Sequence, residues 1–354
     1  EKYLQLTGQT IGSLMPVATP CIDDHMLSDE DFQTPGTVSP VAARVVLTVL
    51  YLTRHNRPDV YWTVNQLARN LKGWRRAEDK RLKRLISWLH YTGDVVQFAF
   101  CGDHIEDCFV VQFVDAGFAG DLMDSKSTGG AICFLIGPNT CVPISWICKK
   151  IGAVCHSSTE AEVVSLDTAL RLEGIPHLHL WEEIVLMFTN QERPKYSRRL
   201  KEAGMYDFIV NDIDYVEPSM PVITSAGKLV VLEDNDAVIK MLIKGRSTRL
   251  RYCPRTQRID LDWLFDIMRR DPGLSIKYVN TKSQIADIFT KGQFTTDQFL
   301  HLMFLCNLAR STLPKSSSAE YDDHAHAYSS SLTTLALCAI RLPSFRTPSY
   351  SFAM

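Results

Sequence analysis

The chain has no apolar run approaching ~18 residues, the length that reads as a membrane-crossing helix, so no transmembrane segment is expected. None of its ten cysteines forms a C-x-x-C pair, which removes the common zinc and thiol-redox spacings. Cys101, Cys108, Cys133, Cys148 and Cys155 sit mostly among apolar residues and read as reduced, buried thiols of an intracellular protein, cytoplasmic or nuclear. Excess charge is nearly absent too: 38 Lys and Arg against 40 Asp and Glu leave a net −2. Such a chain is not a polycation, so any grip on nucleic acid must come from local basic patches. No internal repeat is visible. The opening residues, Glu1-Lys2-Tyr3, show neither an initiator methionine nor a signal-peptide pattern, and the chain reads as a piece of something longer.

What is present is an ordinary globular composition, 45% hydrophobic and 22% charged over 354 residues, enough for two domains or one large domain with flanks. Residues 1–39 lack periodicity and read as an irregular remnant or linker. Residues 40–106 read as a helical unit, with helices expected at Val41–Tyr51, Val60–Leu71 and Glu78–Tyr91. From 107 to 309 the texture is α/β. Strands are expected at Phe109–Asp115, Gly129–Ile136, Val142–Ile147, Lys228–Asp234 and Leu274–Val279, and helices at about 158–187, 236–244, 258–270 and 283–291. Gly174 and Pro176 are expected to break or kink the first of these helices. Polar residues 189–227 read as a surface insertion, and the Ser-, Thr- and Pro-rich residues 310–354 as a disordered tail.

Four of the 40 acids stand out by face. Strand side chains alternate, so Asp115 shares a face with Phe109, Val111 and Phe113, and Asp234 with Val230 and Leu232, each at the rim of an apolar face. Glu233 points the other way with Leu229 and Val231. In Ser158-Thr-Glu-Ala-Glu162 the two glutamates lie on nearly opposite sides of a helix. Glu160 shares its side with Asp167 and Arg171, a solvated face, and suits a capping role. Glu162 shares its side with the apolar Leu166, Ala169 and Leu170, and needs a compensating partner. Asp287 falls near a helix start behind a Ser283 N-cap, where an anion is favoured by ~0.3–1 kcal/mol with no further role. A turn-starting aspartate would explain Asp115 equally well. Gathered at one sheet edge, four carboxylates repel unless cations lie between them. Oxygen-only ligands select Mg²⁺ or Mn²⁺, and two such ions are a recurrent arrangement for phosphodiester hydrolysis.

The motifs Phe113-Val-Asp-Ala-Gly-Phe-Ala-Gly-Asp121, Lys126-Ser-Thr-Gly-Gly130, Ile144-Ser-Trp146 with Lys149-Lys150, and Ser157-Ser-Thr-Glu-Ala-Glu162 follow one another. After them come Glu233-Asp-Asn235, Arg255-Thr256 with Ile259-Asp260, and Ile285-Ala-Asp-Ile-Phe-Thr-Lys291. This series resembles the ribonuclease H domain of copia-type retrotransposon Pol polyproteins over roughly residues 107–305. Arg57-Pro58-Asp59 and Val64-Asn-Gln-Leu-Ala-Arg69 resemble the C-terminal connection of the same family's reverse transcriptase. The resemblance implies a ribonuclease H-like mixed five-stranded sheet flanked by helices, and a catalytic, metal-binding set of Asp115, Glu162, Asp234 and Asp287. It also implies two-metal hydrolysis of the RNA strand of an RNA–DNA hybrid, and a reverse-transcriptase palm upstream in the same polyprotein. The Tyr-x-Asp-Asp polymerase tetrad is absent from this chain. Gly117 and Phe118 stand where the family usually has an acid and a Trp, and Cys253-Pro254 where it often has His-Ser.

Substrate contacts are expected from Lys126, Ser127 and Thr128 and from Asn235, which reads equally well as a turn residue. Two basic clusters are candidates for backbone contact: Arg75, Arg76, Lys80, Arg81, Lys83 and Arg84 beside Trp74, and Arg246, Arg249, Arg251, Arg255 and Arg258. A solvated face is the commoner fate of a charge run, and the second cluster is favoured for contact. The rival functions are a catalytically inactive remnant acting as a nucleic-acid-binding or structural module, and an integrase-type nuclease, against which a fourth acid on a final helix argues.

Overall fold

A computed structural model describes residues 1–22, 24–121, 124–189, 226–247 and 249–311. The expected insertion at 189–227 and tail at 310–354 lie almost wholly outside the described residues.

The first 91 residues form α1 (Lys2–Thr7), α2 (Asp29–Gln33), α3 (Ser39–Thr53), α4 (Tyr61–Arg69) and α5 (Arg76–Tyr91). In α5, Leu82, Leu85 and Trp88 recur at helical spacing and are buried. Glu78 caps its start by accepting the Arg75 N–H at 2.9 Å. The Arg57-Pro58-Asp59 motif has a packing reason. Arg57 and Asp59 form a buried two-bond fork, each bond 2.8 Å, and the Trp88 indole N–H donates to the same Asp59.

Most of the first basic cluster is used within this N-terminal region. Lys80 pairs with Asp31 at 2.6 Å, Arg81 with Asp24 and Glu78, and Arg84 donates to the Thr19 carbonyl. These side chains tie residues 19–31 to α5, and Trp74 is buried with them. Arg76, Lys80 and Arg81 are thus used in ion pairs within the fold, while Arg75 and Lys83 are exposed.

After β1 (Val95–Gln97) come β2 (Phe109–Gly117), β3 (Thr128–Gly137) and β4 (Thr140–Lys150), then α6 (Ser158–Ala169) and α7 (Ile175–Phe188). Between α6 and α7 the chain does not break. A π-helical turn at Leu170–Gly174 absorbs the irregularity, where Gln112 donates to the Ala169 carbonyl at 2.9 Å and a Cβ on Gly174 would strike the Gln112 amide. Then follow β5 (Leu229–Glu233), α8 (Asp236–Lys244), α9 (Cys253–Thr256), α10 (Leu261–Arg270), β6 (Leu274–Tyr278), α11 (Asp287–Thr290), α12 (Thr296–Leu305) and β7 (Leu308–Arg310). The last expected helix, 283–291, is instead a 3₁₀ turn at Thr281–Ser283 capped by Asn280, followed by the single turn of α11.

The main sheet has the order β4-β3-β2-β5-β6. β3 runs antiparallel to β2 and β4, whereas β5 is parallel to β2 and β6 parallel to β5. This is the mixed five-stranded sheet flanked by helices that the resemblance implied. One face, with Val111, Phe113, Ile132, Phe134 and Leu232, packs on α3–α5, α11 and α12. The other, with Val110, Val114, Leu229 and Val231, packs on α6, α7, α8 and α10. β1 and β7 form a separate two-stranded ribbon. The described cysteines are all free, and Cys101, expected to be buried, is exposed.

Candidate functional site

β2 and β5 are parallel neighbours, so their C-terminal ends lie side by side, and each end carries an aspartate. Asp115 follows the apolar face of β2 and sits opposite Gly130 of β3. Asp234 ends β5. The second turn of α6 brings Glu162 to the same place. Carboxylate oxygens of Asp115, Glu162 and Asp234 all lie within 4.8 Å of one another. Asp287, the first residue of α11, lies beside this trio. Lys291 Nζ bridges it to Asp115, 2.5 Å from Asp287 Oδ1 and 3.8 Å from Asp115 Oδ2. Thus all four sequence-predicted acids meet at one sheet edge, three as a tight group and Asp287 at its border.

The electrostatics are those of crowded, poorly solvated acids. Burial, followed by repulsion from Asp115, Glu233 and Asp234, drives the Glu162 carboxyl far above the usual range. Burial and the Asp115 charge raise Asp287 to about 7, and the same causes raise Asp234. Glu162 Oε2 is buried with no hydrogen-bond partner among the described residues. An orphaned buried carboxylate oxygen facing two more acids calls for a cation. The donors are all hard oxygens, which fit a divalent ion such as Mg²⁺ or Mn²⁺.

Two neighbours differ from expectation. Glu160 does cap α6: the Ser157 hydroxyl accepts the Glu160 N–H at 3.1 Å, and Glu160 accepts the His156 N–H at 2.7 Å. But it does not lie on a solvated face. Its exposure is 0%, and so is that of Asp167, because α6 is covered on both sides. Glu160 also accepts from Tyr252 Oη at 2.7 Å and Gln257 Nε2 at 2.9 Å, bonds that fasten the 249–258 segment to the start of α6. Glu233 does point to the other face, yet it is fully buried, and burial together with the Asp234 and Asp115 charges raises it to about 8. The site therefore feels five acids rather than four.

Sequence reasoning missed Thr290 and Lys291 as site residues. The Thr290 hydroxyl donates to Asp115 Oδ2. The signal was present: 287, 290 and 291 stand at i, i+3 and i+4, one helix face. Gly117 makes room for the chain itself. A Cβ there would lie 2.3 Å from the Thr290 carbonyl oxygen, so the acid usual at this position does not fit unless the α11 turn moves. A Cβ on Gly130 would likewise meet Phe289 and Thr290 at 2.7 Å. Cys253, at the other departure, is a buried core residue.

Of the expected substrate contacts, Ser127 and Thr128 are buried. The Ser127 hydroxyl accepts the Ala119 N–H, and the Thr128 hydroxyl accepts from Arg69. Contact through them would need this loop to move. Lys126 is half-buried and pairs with Asp124 at 3.6 Å. Asn235 uses its side-chain oxygen to cap α8 through the Ala237 N–H; its amide nitrogen has no partner among the described residues. Arg246, Arg249, Arg251, Arg255 and Arg258 are exposed, and none has an ion-pair partner among the described residues.

No known protein-family profile matches the chain. It is similar to the retrovirus-related Pol polyprotein from transposon RE2 of Arabidopsis thaliana, 33% identical over 163 residues, and to that from transposon RE1 of the same plant, 32% identical over 151 residues. These matches take in 45% and 43% of this chain but only 10% of each relative. The chain spans about a tenth of the length of the curated relatives it matches. The likeness is to retrotransposon Pol polyproteins, and neither name specifies the copia type. Among solved structures, LC11-RNase H1, isolated from compost by a metagenomic approach, overlaps 51% of this chain and 92% of its own. At 13% identity and a TM-score of 0.27 that overlap is too loose to bear on the site.

Proposed function

We propose that the chain is the ribonuclease H portion of a retrotransposon Pol polyprotein, hydrolysing the RNA strand of RNA–DNA hybrids with two bound Mg²⁺ ions. The observation that carries this reading is the convergence of Asp115, Glu162 and Asp234 within 4.8 Å, with one Glu162 oxygen buried and unpartnered. Asp115, Glu162 and Asp234 would hold the ions, with Asp287 as a looser outer ligand. Divalent ions held there would supply an activated water and charge to offset the leaving oxygen.

The chain's own residues do the rest. Thr290 fixes the Asp115 carboxylate by donating to one oxygen, which leaves the other for the site. The exposed Arg249, Arg255 and Arg258, without ion-pair partners among the described residues, would offer positive charge to the hybrid's phosphates, and Glu160 holds their segment against the helix that carries Glu162. The Asn235 amide nitrogen, without a partner among the described residues, would donate to a 2′-hydroxyl, the group that distinguishes RNA from DNA. The palm of a reverse transcriptase, upstream in the same polyprotein, is the expected neighbour. Among the described residues no helix is long and apolar enough to cross a membrane.

The test is cleavage of an end-labelled RNA–DNA hybrid with and without Mg²⁺. The parent chain should cut only the RNA strand and only with the ion, and Asp115→Asn should lower the rate at least ~10³-fold, the scale of losing a group that stabilises the transition state. A parent chain that cuts no hybrid in Mg²⁺ or Mn²⁺ would remove the enzyme reading.

A further inference from the structure

The four acids are not alone at the sheet edge. One turn, α11, carries an acid and a base to the same spot: Asp287 at its first residue and Lys291 one step past its end. Lys291 Nζ touches Asp287 Oδ1 at 2.5 Å and lies 3.8 Å from Asp115 Oδ2. Its side chain is 40% exposed, so the stalk reaches in from solvent rather than from the core. Its ammonium thus reaches two of the site's acids at once. The neighbouring Thr290 hydroxyl occupies Asp115 Oδ2, so the turn as a whole docks on Asp115 through a hydroxyl and an ammonium. Gly117 and Gly130 make that docking possible, since a Cβ on either would collide with residues 289–290.

We propose that Lys291 is a tethered cation that competes with a divalent ion for Asp287 and Asp115. It lowers the affinity of the Asp287-side ion and supports the fold when that ion is away. This inference rests on reading the acid group as a metal site. The physical basis is simple exclusion of like charges. An ammonium at contact distance from Asp287 and a dication on the same carboxylate repel strongly in a partly buried site. Each could take one oxygen of Asp287, but holding it together is costly. The lysine has a long flexible stem and partial exposure, so withdrawal into water is open to it at little steric cost. The Lys291 charge reaches Glu162 and Asp234 as well, but its direct contacts are with Asp287 and Asp115. The inner ion, held by Asp115, Glu162 and Asp234, therefore feels this competition less than the outer one. The result is one firm and one weak ion position, with the weak one built in by a residue of the chain itself.

The experiment is a Mn²⁺ titration followed by electron paramagnetic resonance on the whole chain, without substrate. It is paired with thermal melts in EDTA and in Mg²⁺. The parent should show two classes of Mn²⁺ site. Lys291→Met should tighten the weaker class at least tenfold and leave the tighter class within about twofold. The same variant should melt lower than the parent in EDTA, and Mg²⁺ should close that gap. Lys291→Arg keeps the charge and should bind Mn²⁺ as the parent does, which separates charge from packing. Mn²⁺ binding that Lys291→Met leaves unchanged, or a melting deficit equal in EDTA and Mg²⁺, would overturn the lysine's role while the metal-site reading stood. A parent chain whose Mn²⁺ binding survives Asp115→Asn intact would overturn both.

Discussion

A carboxylate is useful here because of the company it keeps. Asp287 and Glu233 have ordinary values of 3.8 and 4.5 in the unfolded chain, and burial with neighbouring charges lifts them to about 7 and about 8 in the fold. A raised acid lends stability that is fully present below its unfolded value and is lost as pH climbs through its folded value. In EDTA the protein should therefore lose thermal stability as pH rises from about 5 to about 8. A divalent ion reverses the sense, because it favours the same carboxylates deprotonated. The melting-temperature gain on adding Mg²⁺ should grow with pH over that window. Calorimetry at three pH values, with and without Mg²⁺, reads both slopes. A gain that shrinks with pH would mean the ion is not bound by these acids. At this scale much was legible from sequence. Alternation along β2 and β5 picked Asp115 and Asp234, and the α6 stripe picked Glu162. Lys291 was not picked, because a lysine after a short helix looks like any C-terminal cation until the fold shows what lies opposite.

At the scale of elements the sequence showed strands and helices well and their coverage poorly. The helical repeat of α6 located Glu162, but it also assigned Glu160 to water. Periodicity reports which side of a helix is apolar and not whether the polar side is later covered by a segment some 90 residues away. The cover here is the 249–258 segment, with Leu250 and Cys253 buried in the core and the arginines outward. The hydrogen bonds from Tyr252 and Gln257 to the Glu160 carboxylate hold it in place. A consequence follows for substrate binding. With cleavage blocked by Asp115→Asn, replacing Arg249, Arg255 and Arg258 together with Ala should weaken hybrid binding. It should also flatten the dependence of log affinity on log salt by up to about 0.9 per lost phosphate contact. Tyr252→Phe keeps every arginine and removes one hydrogen bond to a charged acceptor. It should weaken binding by a smaller factor and lower the salt slope part of the way. Fluorescence anisotropy across a salt series distinguishes the two. A triple variant with the parent's slope would mean that the arginines face water alone.

At the scale of the whole molecule, the helices of residues 39–91 and the sheet share one core. Val60, Val64, Leu67 and Leu85 lie in the same buried cluster as Val111, Phe113, Ile132 and Phe134. The joint is also polar: Trp146 Nε1 donates to the Thr53 carbonyl at 2.7 Å, and Asn65 Nδ2 to the Cys148 carbonyl at 2.6 Å. Gly292, just past the lysine of the site, lies so close to Trp62 that a Cβ would come within 2.2 Å of its ring. The sequence marked residues 40–106 as a separate helical unit because its texture changes near 107, and texture says nothing of what a helix packs against. Each large apolar side chain taken out of water contributes about 1.5–3 kcal/mol, and four or five of them on the sheet face amount to on the order of 10 kcal/mol, comparable with the ~5–15 kcal/mol that holds a typical domain folded. A piece comprising residues 107–311 should therefore fail to fold alone. It should aggregate or bind a hydrophobic dye, and should lack the single cooperative melt expected of residues 1–311. The Asp287 turn is packed between the sheet and α4, so Mn²⁺ binding should be lost with the cover even though all four acids remain. A 107–311 piece that stays monomeric and melts cooperatively at the temperature of the longer chain would show that the helices ride on the sheet without supporting it.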